Sequence, residues 1–161
     1  MGSFNNKISA EYNPPRKWVL ERALSYRDLN INVDALEKIG MVGIRGHADP
    51  PESPIHRITC KKGFITDLAS VPRICWAFIA PWDVARAAII HDLLYKSIRQ
   101  YRAGAGDDKN IISAAKKASD DVFLKGMLDA EPSVPKWKIY AAYYAVVLFG
   151  RWSIIPNEDN I

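Results

Sequence analysis

Residues 87–95 read Ala-Ala-Ile-Ile-His-Asp-Leu-Leu-Tyr, an apolar run interrupted by two polar side chains in the middle. At about 100° per residue, His91 shares a face with Val84, Ala87, Ala88, Leu94, Tyr95 and Ile98. The run therefore predicts a helix whose histidine points into an apolar interior. Asp92 lies about a quarter-turn away, and Tyr95 follows one turn after His91 on the same side. Working outward, the helix is expected to begin near Pro81 to Asp83, where a carboxylate suits the positive helix end, and to run to about Tyr101. The Gly-Ala-Gly-Asp-Asp stretch at 104–108 ends it. A second helix fits Ile111 to Leu128, and Glu-Pro-Ser-Val-Pro then connects to a third over Pro135 to about Phe149. That third segment is apolar nearly all round, which predicts burial against the other two.

Upstream the texture changes to strands and loops. Trp18, Leu20, Leu24 and Tyr26 fall on alternate positions and suggest one half-buried strand. Arg57 to Cys60 and Phe64 to Thr66 suggest two short strands around the Lys61 to Gly63 turn, and Asn32 to Ile39 a helical turn. His-Ala-Asp-Pro-Pro-Glu-Ser-Pro at 47–54 is a Pro-rich loop. The fold class is α+β: a small N-terminal β portion, then an antiparallel core of three main helices. Residues 1–16 are polar, end in a Pro-Pro pair and predict an extended arm, with one α+β domain over 17–161.

Composition narrows the function classes. With 161 residues, 48% of them hydrophobic, the chain can build an ordinary core, which excludes a disordered or collagen-like state. A net charge of +4, spread without clusters of Lys and Arg, argues against specific nucleic-acid binding. Cys60 and Cys75 are too few for a disulfide framework or a Cys-based zinc site. The opening residues lack the apolar region of a secretion signal, which predicts that no signal peptide directs export. The longest apolar run, Ile139 to Gly150, falls short of the ~20 residues of a transmembrane helix.

The chemistry-bearing residues concentrate in the helices. Asp120 falls on the face made by Phe123, Leu124 and Met127, while Asp121 turns toward solvent. A carboxylate in an apolar stripe is costly unless something hydrogen-bonds it. Antiparallel helices joined by the glycine loop would set Asp120 against His91 and Tyr95. Such a dyad orients an imidazole and raises its basicity, as a general base requires. It would serve equally as a satisfied polar network in the core. Asp92 is left unexplained by the dyad; beside a base it could hold a hard cation such as Ca²⁺. In Gly63 to Arg73, Gly-Phe-Ile-Thr-Asp-Leu-Ala-Ser-Val-Pro-Arg, the oxygens of Thr66, Asp67 and Ser70 precede a helix. Capping by Ser70 and an Asx-turn at Asp67 explain them, or else Asp67 completes a metal or substrate site with Asp92. His47, His56 and the two cysteines have no ligand-like partners and are incidental.

These segments carry a resemblance. The pair GFITDLASVPR and AAIIHDLLY, followed by SDDVF, resembles a bacteriophage and prophage family catalogued as a domain of unknown function. Its pattern runs Gly-Phe-x-Thr-Asp-x-Ala-Ser-x-Pro, Ala-Ala-x-x-His-Asp-x-Leu-Tyr and Ala-Asp-x-x-Phe; Ser119 stands here for the last alanine. Thr66, Ser70 and Arg73 belong to the first element, and the likeness spans about Trp18 to Trp152. The helical part is also similar, more distantly, to the sn-2 phospholipases. That resemblance implies His91 as base, Asp120 as its orienter, Tyr95 as hydroxyl partner and Asp92 as calcium ligand. The Tyr-x-Gly-x-Gly calcium loop of those enzymes has no counterpart, so the Thr66 to Pro72 segment would have to replace it.

Three functional expectations follow from residues and resemblance together. The first is a bacteriophage virion-associated protein, a tail, neck or other particle component, whose partners are other virion proteins and whose core keeps a phospholipase-like His–Asp cluster. The second is a Ca²⁺-dependent hydrolase acting on lipid or cell-envelope esters during host penetration or lysis. The third is a host-directed binding protein. They place the chain in the virion or in the host cytoplasm.

Overall fold

The computed structural model describes residues 2–5, 7–15, 17–41, 56–67, 81–104, 106–131 and 133–161, with the backbone alone at 81–83. Six strands precede three long helices in the expected α+β order. The strands are β1 (Ser3–Phe4), β2 (Ala10–Asn13), β3 (Lys17–Leu20), β4 (Leu24–Asp28), β5 (His56–Cys60) and β6 (Ile65–Thr66). They pair antiparallel in two three-stranded sheets, β1-β4-β5 and β2-β3-β6. The N-terminal stretch is thus extended and lies along the chain's own sheets: Phe4 pairs with Tyr26, and Tyr12 with Trp18.

One expected strand is two. A single strand over Trp18 to Tyr26 would carry Arg22 on the same face as Leu20 and Leu24, which are 1% and 2% exposed. A guanidinium cannot be left unpaired there. The chain instead turns at residues 21–23, where the Glu21 amide donates to the Ser9 carbonyl at 2.9 Å and the Ser9 hydroxyl to the Glu21 carboxylate at 2.5 Å. β3 and β4 so fall in different sheets. The pieces at 57–60 and 64–66 form as strands β5 and β6, also in separate sheets, around Gly63 at φ +84°, a left-handed conformation that suits glycine. The helical turn at 32–39 forms as α1 (Val33–Glu37), with the Asn32 side chain accepting from the Ala35 amide at 3.2 Å.

The long helices are α2 (Pro81–Ala103), α3 (Lys109–Leu128) and α4 (Lys136–Ser153). Asp108 caps α3, its carboxylate accepting from the Asn110 and Ile111 amides at 2.8 and 3.2 Å. Neighbours on α2 and α3 run in opposite order, Ala87 against Gly126 and His91 and Tyr95 against Asp120, so the pair is antiparallel. Lys116 beside Val147 and Asp121 beside Tyr143 make α3 and α4 antiparallel too. α2 lies centrally, with β4 and β5 on one side and α3 on the other. Its Ile89, Ile90, Leu94 and Ile98 are almost wholly buried, each contributing about 1.5–3 kcal/mol.

α4 departs from expectation. Ile139, Ala142, Val146 and Gly150 face inward, but Trp137, Tyr144, Leu148 and Trp152 are 53–62% exposed. It packs chiefly on α3 and has an outer face that no described element covers. All-round apolarity shows that a face wants covering, and it does not supply the second neighbour.

Candidate functional site

Two polar groups flank one turn of α2. The first is buried. His91 has no exposed surface and lies between the rings of Tyr95 and Phe123, with centroids 4.0 and 4.9 Å away. Its Nε2 is 3.1 Å from Asp120 Oδ1, to which the Tyr95 hydroxyl donates at 2.8 Å. The other carboxylate oxygen, Oδ2, accepts from Lys116 Nζ at 2.7 Å. The antiparallel helices therefore bring together His91, Tyr95 and Asp120, the three residues singled out as a dyad with its hydroxyl partner.

The charges can be assigned. Burial pushes the Asp120 carboxyl up, but hydrogen bonds and charge from His91 and Lys116 outweigh it and hold the group below the ordinary carboxylate range. Burial is also the largest influence on His91 and lowers it, against the pull of Asp120. The assignment that satisfies every contact is an anionic Asp120 paired with Lys116 and a neutral His91 donating its Nε2–H. Nδ1 is then left as a lone pair, and it has no hydrogen-bond partner among the described residues. This is the tautomer that a general base needs.

The second group is open. On the adjacent side of α2, Asp92 lines a cleft of about 440 Å³ together with Thr66, Asp67, Tyr95, Lys96 and Arg99. The Thr66 hydroxyl donates to Asp92 Oδ2. Burial pushes the Asp92 carboxyl up to about 7; Thr66 and Arg99 oppose the rise and the Asp67 charge adds to it. The C-terminal stretch walls the far side: Arg99 Nε donates to the Asn160 carbonyl at 2.7 Å, and an Arg99 terminal nitrogen to the Ser153 carbonyl at 3.0 Å. Tyr95 belongs to both groups, since it lines the cleft and holds Asp120. Gly150 of α4 makes room for it; a Cβ there would stand 2.2 Å from the Tyr95 oxygen.

Asp92 and Asp67 meet at the cleft, as a metal or substrate site would have them. Ca²⁺ takes about six to eight oxygens. Among the described residues no cluster of three or more His, Cys, Asp or Glu could hold a metal, and one Asp92 oxygen already takes the Thr66 proton. This donor set falls short of a calcium cage. Ser70 and Arg73, with His47 and Cys75, lie outside the described residues. Cys60 is buried, its thiol pushed up by burial and the Asp92 charge, and is inert.

Sequence reasoning missed four participants. Lys116 stands four residues before Asp120, a spacing that pairs charges on a helix. Lys96 and Arg99 follow Asp92 by four and seven residues and so share its face, a signal present in the sequence. Gly150 carried no signal, because the need for a missing Cβ depends on a side chain from another helix.

The profile of a family described as protein of unknown function (DUF1353) matches residues 49–146. No curated protein and no solved structure matches the chain.

Proposed function

The chain belongs to the DUF1353 family, and for this member we propose a bacteriophage-encoded hydrolase of lipid or cell-envelope esters, carried in the particle, with His91 as general base. The observation that supports this reading is the bonding of Asp120. It takes the Nε2–H of His91 and the hydroxyl of Tyr95, which fixes the ring and leaves Nδ1 as a free lone pair on an imidazole that burial keeps neutral and less basic than usual. In the proposed step, Nδ1 takes a proton from a water molecule as its oxygen attacks the ester carbonyl. Asp120 stabilises the imidazolium, which then gives the proton to the departing alkoxide. The cations at the cleft, Lys96 and Arg99, are the groups on hand for the developing oxyanion. Because His91 has no exposed surface, the reading requires that substrate binding open a path to Nδ1.

That same burial favours a second reading: a virion component in which the cluster is only a polar network in the core, complete but for the His91 Nδ1 lone pair. Phospholipid ester hydrolysis by the purified protein separates the two, run with His91→Ala and with His91→Asn, each checked for a cooperative melt. The hydrolase reading expects turnover in the wild type and loss of at least about a hundredfold in both folded variants. Absence of His91-dependent turnover, with the chain found by mass spectrometry in purified particles, would leave the structural reading. Arms with calcium and with chelator distinguish a cation-assisted route from one using side chains alone.

A further inference from the structure

The outer face of α4 has a composition that neither reading uses. Trp137, Tyr144, Leu148 and Trp152 recur at helical spacing and are 60, 59, 62 and 53% exposed, with Tyr140 beside them. We propose that this face docks the protein onto a phospholipid bilayer surface bearing anionic headgroups.

Charge decides the occupant. Residues 136–153 contain no Asp or Glu, and Lys136, Lys138 and Arg151 border or interrupt the aromatic stripe. Lys138 Nζ lies 5.8 Å from the Trp137 ring centre and the Arg151 guanidinium 4.1 Å from that of Trp152. Tryptophan and tyrosine with lysine and arginine at their margins suit the membrane–water boundary: rings enter the headgroup–acyl zone while cations stay with the phosphates. A protein partner fits less well, because it would have to bring carboxylates into register with cations on a face that has none of its own, whereas anionic headgroups meet them in any register. A second copy fits worse. Antiparallel pairing of α4 about its middle would set Lys138 against the Arg151 of the other copy, like charge on like. No helix among the described residues is long and apolar enough to cross a membrane, so α4 would lie in the plane of the surface.

The position of α4 gives the docking a use. Its inner side holds Gly150 against Tyr95, and its Ser153 lines the cleft. A bilayer under the outer face would thus lie beside the cleft. The docking stands on α4 alone, whereas delivery of an ester to the cleft rests on the hydrolase reading.

The test is co-sedimentation of the full chain, in chelator, with vesicles of phosphatidylcholine alone and of phosphatidylcholine with phosphatidylglycerol. Partition onto the phosphatidylglycerol vesicles is expected, and it should weaken with salt. Tyr144→Glu with Leu148→Glu should lower it by about tenfold or more, with melting unchanged because both side chains are exposed. Lys136→Gln, Lys138→Gln and Arg151→Gln together should remove the preference for the anionic lipid. Failure of the folded wild type to partition would overturn the proposal, as would partition indifferent to the two glutamates. So would a concentration-dependent dimer in sedimentation velocity that those glutamates abolish. Vesicle binding without ester hydrolysis would keep the docking and remove the hydrolase; hydrolysis of a dispersed short-chain ester without vesicle binding would do the reverse.

Discussion

His91 and Asp92 are neighbours in sequence and opposites in circumstance. His91 is sealed among aromatic rings, and the carboxylate it meets has its charge answered by a lysine and a tyrosine hydroxyl. Asp92, a quarter-turn on, faces a cleft with another carboxylate near it and a carboxyl pushed up to about 7. The difference teaches that burial alone does not set the cost of a charge. Asp120, buried but met by three donors, is held ionised, while Asp92, with one hydroxyl donor and a like charge nearby, is pushed by its own burial to partial protonation.

The sharpest way to break the comparison is to remove the compensated charge. Asp120→Ala leaves His91 Nε2, the Tyr95 hydroxyl and Lys116 without their common acceptor. Breaking such a buried network is expected to lower unfolding free energy by about 3–5 kcal/mol in urea titrations. A loss under about 1 kcal/mol would mean that the three groups find other partners and that the cluster contributes little to the fold.

A second change attacks the same network from outside it. Gly150→Ala places a Cβ 2.2 Å from the Tyr95 oxygen, so either the ring or α4 must shift. A loss of about 2 kcal/mol is expected from overpacking. Tyr95→Phe combined with Gly150→Ala should recover part of it, because the clashing oxygen is gone; a double-mutant cycle measures the coupling.

Asp92→Asn should act with the opposite sign. The carboxyl rises from 3.8 to about 7 on folding, so the folded chain holds its proton more tightly across that window. Stability from this group falls as pH rises through the window and is lowest above about 7. The asparagine variant should therefore be more stable than wild type at pH 8, on the order of 2 kcal/mol after discounting for the solvent in the cleft. The gain should vanish near pH 4. A variant less stable than wild type at pH 8 would show that Thr66 and Arg99 outweigh burial at this carboxyl.

What the sequence disclosed divides along the same line. Period and spacing on single helices placed His91, Tyr95 and Asp120 on inward faces, and one topological assumption, antiparallel helices, brought them together. The same reasoning could not see that Leu20 and Leu24 belong to different sheets, because alternation carries no record of a turn until Arg22 is weighed as a buried charge. It misjudged α4, since burial depends on neighbours and the segment's own residues are apolar on both sides. The cleft was read only as the pair Asp67 and Asp92, although Lys96 and Arg99 share the Asp92 face; its far wall comes from the C-terminal stretch, whose return over α2 is fixed by Arg99 and Arg102 donating to backbone carbonyls. Backbone acceptors of that kind leave no mark in a sequence.

The smallest expected effect is the most informative about mechanism. Lys116 lies at the edge of the cluster, with 15% of its side-chain surface in solvent, and Lys116→Met leaves Asp120 its His91 and Tyr95 donors, so stability should fall by only about 1 kcal/mol. Its charge, however, opposes the protonation of His91 and shares the Asp120 carboxylate that would stabilise an imidazolium. Removing it leaves Asp120 to act on His91 alone, and the His91 titration should move up, read from the imidazole proton resonances with His91→Asn for assignment. If the ester hydrolysis proposed for this site occurs, the acid limb of its pH–rate profile should move upward with that titration, because the neutral ring is the base. A His91 titration that stays where it was would mean that burial alone holds the ring neutral. Lys116 would then be a surface pairing of α3, and the compensation that separates His91 from Asp92 would rest on Tyr95 and Asp120 without it.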